Sequence, residues 1–211
     1  MDTIFRFMTV PESLKNNHFL KIERSNSKVT DEEVWLAFQN DSTVAFKHLY
    51  HVYVDSLYSY GKKLTPAYNF VEDVIQDMFI DLWNSRHRLG EVTNVKAYLF
   101  VSFRRRLLHV LKKNNKYPVL VKLSDVQDIQ DTMDSDQESS YEKVTSILKN
   151  LPERQQEAIF LRFQSGLSCQ EIAKILNINS QSVYNLIHKA IKSLRTSALS
   201  LIFLIVLVGG S

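Results

Sequence analysis

The segment 168–194 constrains this chain more tightly than any other stretch. Ser168 and Glu171, three apart and just ahead of Ile172, Ala173, Ile175 and Leu176, spell a capping box that opens a short helix on one apolar face. Asn177-Ile178-Asn179 follows, and asparagine tolerates the left-handed conformation that a sharp turn between helices needs. From Ser180, Val183, Leu186, Ile187, Ala190, Ile191 and Leu194 recur at i, i+3, i+4, i+7, i+8 and i+11, so a second helix buries a stripe. Gln181, Tyr184, Asn185, His188, Lys189 and Lys192 fall on the opposite side. Upstream, Pro152 sits early in a further helix, where its missing N–H costs nothing, and Gly166 stops that helix. Three short helices with a tight turn before the last are a helix-turn-helix pattern. The polar face of the last helix mixes groups that read base edges with cations that hold phosphates. The bland alternative is a helical hairpin with a charged face.

The rest of the chain also reads as helix. Five glycines and four prolines in 211 residues fall far below the ~12% of average usage, which argues against a sandwich or barrel. The expected fold is all-α. Hydrophobic residues at 45% and charged residues at 23% are ordinary for a globular chain. One cysteine, Cys169, excludes an internal disulfide framework and a zinc site built on Cys pairs, and it fits a reducing, cytoplasmic compartment. No catalytic histidine adjoins it in sequence, and His48 and His51 read as surface or core-edge residues. No cofactor and no metal site are expected. Residues 1–28 read as a mobile arm rather than a signal peptide, because Asp2 stands where a basic region belongs and Arg6 interrupts a short apolar run. The apolar run 198–208 falls short of the ~20 residues a spanning helix needs, so no stable membrane span is expected. It reads as a last helical turn packed on the domain or on a partner.

Charge divides the chain. Between Val101 and Leu123 lie seven Lys or Arg and no acid; between Ser124 and Glu142 lie seven Asp or Glu and no Lys or Arg. The acidic stretch has few large apolar residues and no clear period, so it reads as a solvated, flexible linker. Two small helical domains follow, 29–123 and 140–198, joined by the linker 124–139 and trailed by an apolar tail, 199–211. In the first, Thr30 and Glu33 form a capping box for a helix through Phe38. Asp41 or Ser42 opens the next, with Ala45, Phe46, Leu49, Tyr50, Tyr53 and Leu57 at helical spacing and Gly61 and Pro66 punctuating its end. A third runs from about Phe70 to Asn84 over Val71, Val74, Ile75, Met78 and Leu82. Residues 86–94 form a loop, and a fourth helix covers about Val95 to Asn114.

Two helix faces carry charge. On the third helix Asp73, Asp77 and Asp81 stand at i, i+4 and i+8, joined by Glu72 and Gln76. Like charges at that spacing destabilise an isolated helix by a few tenths of a kcal/mol each, so an outside partner or plain solvation must answer them. The ladder climbs the helix and separates its carboxylates, which disfavours a metal cage. On the fourth helix, Ser102, Arg105, Arg106, His109, Lys112, Lys113 and Lys116 lie opposite Phe100, Phe103, Leu107, Val110 and Leu111, and Arg104 must snorkel at the boundary. A face with five cations and no acid attracts phosphate.

These runs resemble one family. LPERQQEAIFLRFQSGLSCQEIAKILNINSQSVYNLIHKAIKSLR (151–195), EDVIQDMFIDLW (72–83) and AYLFVSFRRRLLHVLKK (97–113) are similar to bacterial RNA polymerase sigma factors of the extracytoplasmic-function (ECF) group. The resemblance implies a transcription initiation factor and no enzyme. It implies a face of Glu72, Asp73, Gln76, Asp77 and Asp81 that binds core RNA polymerase. It implies a basic helix that opens the −10 element of promoter DNA through Arg105, Arg106, His109, Lys112 and Lys113. The loop 86–94 would cradle an unstacked base, with Arg88 and Asn94 placed for it. A recognition helix would read the −35 element through Tyr184, Asn185, His188 and Lys189, with Gln181, Ser182 and Lys192 on phosphate. Arg105 and His109 replace the family's usual Asn and Asp. Whether an anti-sigma protein is also a partner stays open on sequence. A two-domain regulator that shares the helix-turn-helix but not the polymerase is the alternative, and a nucleic-acid enzyme is a third reading with no catalytic constellation behind it.

Overall fold

In the computed structural model, which describes residues 30–114 and 150–208 (196–208 as backbone), the first helix, α1 (Asp31–Gln39), opens as its spacing implies. The Glu33 amide donates to Thr30 Oγ1 at 3.3 Å, and the Thr30 amide donates to Glu33 Oε2 at 2.9 Å. The choice between Asp41 and Ser42 resolves into two jobs. Asp41 takes a left-handed turn at φ 68°, and Ser42 Oγ accepts from the Ala45 amide at 3.2 Å, capping α2 (Thr43–Leu64). The expected arm 1–28 and linker 124–139 lie outside the described residues, as do Lys116 and the side chains of the tail.

The described residues form two units, 30–61 with 67–114 and 62–66 with 150–208. The first also holds α3 (Tyr68–Ser85), a 3-10 turn at Arg86–Arg88, and α4 (Val95–Lys113). Its core follows the predicted stripes. Ala45, Leu49, Tyr53 and Leu57 face inward from α2, Val71, Val74, Ile75, Met78, Phe79 and Leu82 from α3, and Phe100, Phe103, Leu107 and Leu111 from α4. Burying each large side chain contributes about 1.5–3 kcal/mol. Val110 is only half-buried, while Leu99, outside the predicted stripe, is fully buried. Aromatic pairs link the helices: Phe46 to Trp83 at 5.1 Å between centroids, Trp35 to Tyr98 at 5.2 Å, Tyr60 to Phe100 at 5.5 Å. The Tyr53 hydroxyl donates to Asp31; burial first, and then this bond, push its pKa upward.

Gly61 corrects one expectation. It does not end α2, which runs on to Leu64. A Cβ at Gly61 would stand 2.4 Å from Val71 Cγ1 and 2.9 Å from Phe103 Cζ. The glycine is there because α3 and α4 crowd that point, not because the chain turns.

In the second unit, α5 (Glu153–Ile159) widens into a π-helical turn at Phe160–Gln164. Gly166 at φ 64° ends it, and the Leu167 amide donates to the Leu161 carbonyl at 3.1 Å. That bond around a left-handed glycine spans six positions, one more than a Schellman closure, because the turn it closes is π-wound. Next come α6 (Cys169–Leu176) and α7 (Ser180–Val208). The Ser168–Glu171 capping box forms in both directions, at 3.3 and 2.5 Å. Cys169 lies buried in the first turn of α6. Among the described residues no helix is long and apolar enough to cross a membrane.

Candidate nucleic-acid interface

The turn that aims α7 depends on two asparagines. Asn177 sits in the left-handed region at φ 53° and ψ 51°, and the Ile178 amide donates to the Ala173 carbonyl at 3.0 Å. Asn179 Oδ1 then accepts from the Ser182 amide at 2.7 Å. The Ser182 N–H is therefore already engaged as a cap and does not point free at a phosphate. Below the turn Val183 and Ala190 are fully buried, and Leu186, Ile187, Ile191 and Leu194 are half-buried. The buried stripe turns Gln181, Tyr184, Asn185, His188, Lys189 and Lys192 outward, all of them exposed. Gln181 Nε2 donates to Asn185 Oδ1 at 3.2 Å. A bidentate adenine contact uses both ends of the Asn185 amide, and Oδ1 keeps a second lone pair for it beside the Gln181 bond.

In the first unit α3 and α4 lie side by side and frame a groove of about 740 Å³, with Asp77 and Asp81 on one wall and Arg105, Arg106, His109 and Lys112 on the other. Glu72, Asp73, Asp77 and Asp81 are exposed and Gln76 is half-buried. Two of these acids have partners within the unit, where the sequence pointed to an outside partner or solvation. Arg106 Nη1 donates to Asp81 Oδ2 at 2.7 Å. Tyr58 hydrogen-bonds Glu72, and its pKa rises through desolvation first and the Glu72 charge second. Asp73 and Asp77 have no hydrogen-bond or ion-pair partner among the described residues. On α4, Arg105, His109, Lys112 and Lys113 are exposed and likewise unpaired among the described residues, while Arg106 is committed to Asp81. Arg104 is half-buried, as a snorkelling boundary residue should be.

Arg88 stands exposed on the 3-10 turn. Asn94 is instead the N-cap of α4, its Oδ1 accepting from the Ala97 amide at 2.6 Å. Sequence reasoning placed none of Gln39, Asp41 and Arg86 at this loop; Asp41 entered only as a candidate helix cap. Arg86 Nε donates to Asp41 Oδ1 at 2.5 Å, and Gln39 Nε2 donates to the Leu89 carbonyl at 2.6 Å. The one local signal was an Asp at a helix–helix turn, which says nothing of a partner 45 residues away. Among the described residues no group of three His, Cys, Asp or Glu is placed to hold a metal ion.

Comparison with known proteins matches the Sigma-70 region 2 family over residues 49–117 and the Sigma-70, region 4 family over 141–194. The ECF RNA polymerase sigma factor SigX of Bacillus subtilis is 28% identical over 158 residues, which cover 71% of this chain and 81% of the relative. The ECF RNA polymerase sigma factor BldN of Streptomyces coelicolor is 26% identical over 159 residues, covering 71% of this chain and 59% of the relative. Among solved structures, the sigma factor RpoE of Bartonella quintana, crystallised with the anti-sigma factor NepR, superposes with a TM-score of 0.53 at 20% identity, over 72% of this chain and 96% of that one. That last likeness is one of fold.

Proposed function

Because this chain belongs to the ECF group of the sigma-70 family, and is thus a promoter-recognising initiation factor for RNA polymerase, we propose a division of labour among its three exposed faces. Asp73 and Asp77, with Glu72 and Gln76 beside them, dock on a basic surface of the core enzyme. Arg105, Lys112 and Lys113, flanked by His109, hold the backbone of the opened −10 strand, and the loop 86–94 takes an unstacked base. Tyr184, Asn185, His188 and Lys189 read the −35 element in the major groove, with Gln181 and Lys192 toward the backbone. The chain supplies binding energy and no chemistry of its own, and it works in the cytoplasm with the polymerase. An anti-sigma protein, of the kind bound to the Bartonella quintana relative, is a further proposed partner.

One observation carries this reading. Within one unit, an exposed pair of acids without partners among the described residues lies one helix away from a run of unpaired cations. A helix-turn-helix regulator that ignores the polymerase has no use for that arrangement. Arg105 and His109 also tilt the opening step toward phosphate attraction, which is salt-sensitive. The experiment is core binding at low salt. Asp73→Lys with Asp77→Lys should weaken core affinity at least about tenfold, since like charges meeting across an interface are costly. Its −35 duplex binding should stay. Unchanged core affinity in that double variant would refute the reading.

A further inference from the structure

We propose that Gln39 and Asp41 are positioning residues for the loop 86–94: they hold it in the shape that takes an unstacked base. The proposal rests on the reading of that loop as a base pocket. It adds what sets the pocket, and it draws on residues ahead of the region 2 match at 49–117.

The loop is fastened at three places. At its start, Asp41 Oδ1 accepts from Arg86 Nε at 2.5 Å and pairs with His87 Nε2 at 3.2 Å. Arg86 is fixed twice more, by donating from Nη1 to the Trp83 carbonyl at 2.7 Å and by lying 4.3 Å over the Trp83 ring. In its middle, the Gln39 amide donates to the Leu89 carbonyl at 2.6 Å and reaches the Gly90 carbonyl at 3.5 Å. At its end, Asn94 caps α4. Between these ties Arg88 projects, exposed and without a partner among the described residues. Asp41 reaches Arg86 from a left-handed backbone at φ 68°, a conformation that Asp accepts more readily than most residues. Two side chains at the end of α1 thus set the path of a loop about fifty positions away, by gripping backbone carbonyls and a stacked guanidinium. Such ties fix where a pocket's walls stand without touching what enters it.

The test uses holoenzyme assembled from the full chain and core polymerase, bound to a single-stranded non-template library randomised across the −10 element. Gln39→Glu keeps the size but replaces the donor with a carboxylate facing two carbonyls. Asp41→Gly keeps the left-handed turn and removes the carboxylate, so it guards against a folding defect. Each variant should flatten base preference at one position by about 2–10-fold, the worth of one hydrogen bond or two. Core affinity should not change. A uniform loss of affinity with preference intact would mean a merely structural role and overturn the proposal. A loop variant, Arg88→Ala, separates the two layers. If the loop variant shifts preference and the Gln39 and Asp41 variants do not, positioning fails. If the loop variant leaves preference intact, the base-pocket reading fails and takes the proposal with it.

Discussion

Replacing Gly61 with alanine pits a general rule against a local one. In an exposed helix interior, Gly→Ala gains about 1 kcal/mol, because alanine surrenders less backbone entropy. At Gly61 the new methyl would stand 2.4 Å from Val71 Cγ1, 2.9 Å from Phe103 Cζ and 3.0 Å from Val71 Cγ2. Carbons in contact sit about 3.5–4.0 Å apart, so α3 or α4 must retreat by roughly 1 Å. Val71 and Phe103 are both fully buried and cannot swing toward solvent. Overpacking of that kind costs about 1–3 kcal/mol, and the crowding on two sides places this case in the upper half of the range. The net expectation is a loss of about 1–2 kcal/mol. The protein carries its own reporter, because both tryptophans, Trp35 and Trp83, belong to the first unit. Urea unfolding followed by tryptophan fluorescence therefore reads that unit. Val71→Ala removes two of the three offending contacts, so the double variant Gly61→Ala with Val71→Ala should be less destabilised than the sum of the singles by about 1 kcal/mol. A Gly61→Ala protein more stable than the parent, or strict additivity in the cycle, would refute the close-approach argument.

Three further outcomes are expected. Asn177→Gly should leave thermal stability near the parent value, whereas Asn177→Val should cost about 1–2 kcal/mol for forcing a β-branched residue left-handed; equal melting of the two would contradict the turn geometry. Asn185→Ala should relax preference at one base of the −35 element, while Lys192→Ala should weaken all sequences alike and lower the salt slope by about one; a promoter library bound at several salt concentrations separates the two. Asp81→Asn should free Arg106 and tighten single-stranded DNA about 2–5-fold at low salt, the size of an exposed ion pair, with core affinity unchanged; loss of core affinity would return Asp81 to the polymerase face.

The elements that sequence made legible are those whose cause is local. Ser168 with Glu171 and Thr30 with Glu33 are caps written within four residues, and both form. Asn177 and Gly166 mark left-handed positions because few other residues tolerate them. The outward face of α7 follows from a period that needs no tertiary information. What escaped notice joins distant positions. Gly61 reads as a helix stop until Val71 and Phe103 are seen against it. The acid ladder looks unanswered until α4 brings Arg106 to Asp81 across 25 positions. Asn94 is the local exception: its oxygen accepts from the Ala97 amide three positions on, as an N-cap. The π-helical turn at Phe160–Gln164 is likewise not read from the apolar spacing.

The length of α7 has a mechanical consequence. Its 29 residues make one hydrogen-bonded rod of about 43 Å at ~1.5 Å per residue, with the outward polar face near one end and the apolar sequence 198–208 at the other. A rod of that kind transmits rotation as well as position. Each residue advances the azimuth by about 100°, so the angle between the two ends is set by a count of residues. Inserting a single residue after Arg195 would swing the apolar end by more than a quarter turn while leaving every side chain of the outward polar face where it stands. The relative azimuth of the two ends is therefore fixed by residue count, independently of any contact the polar face makes.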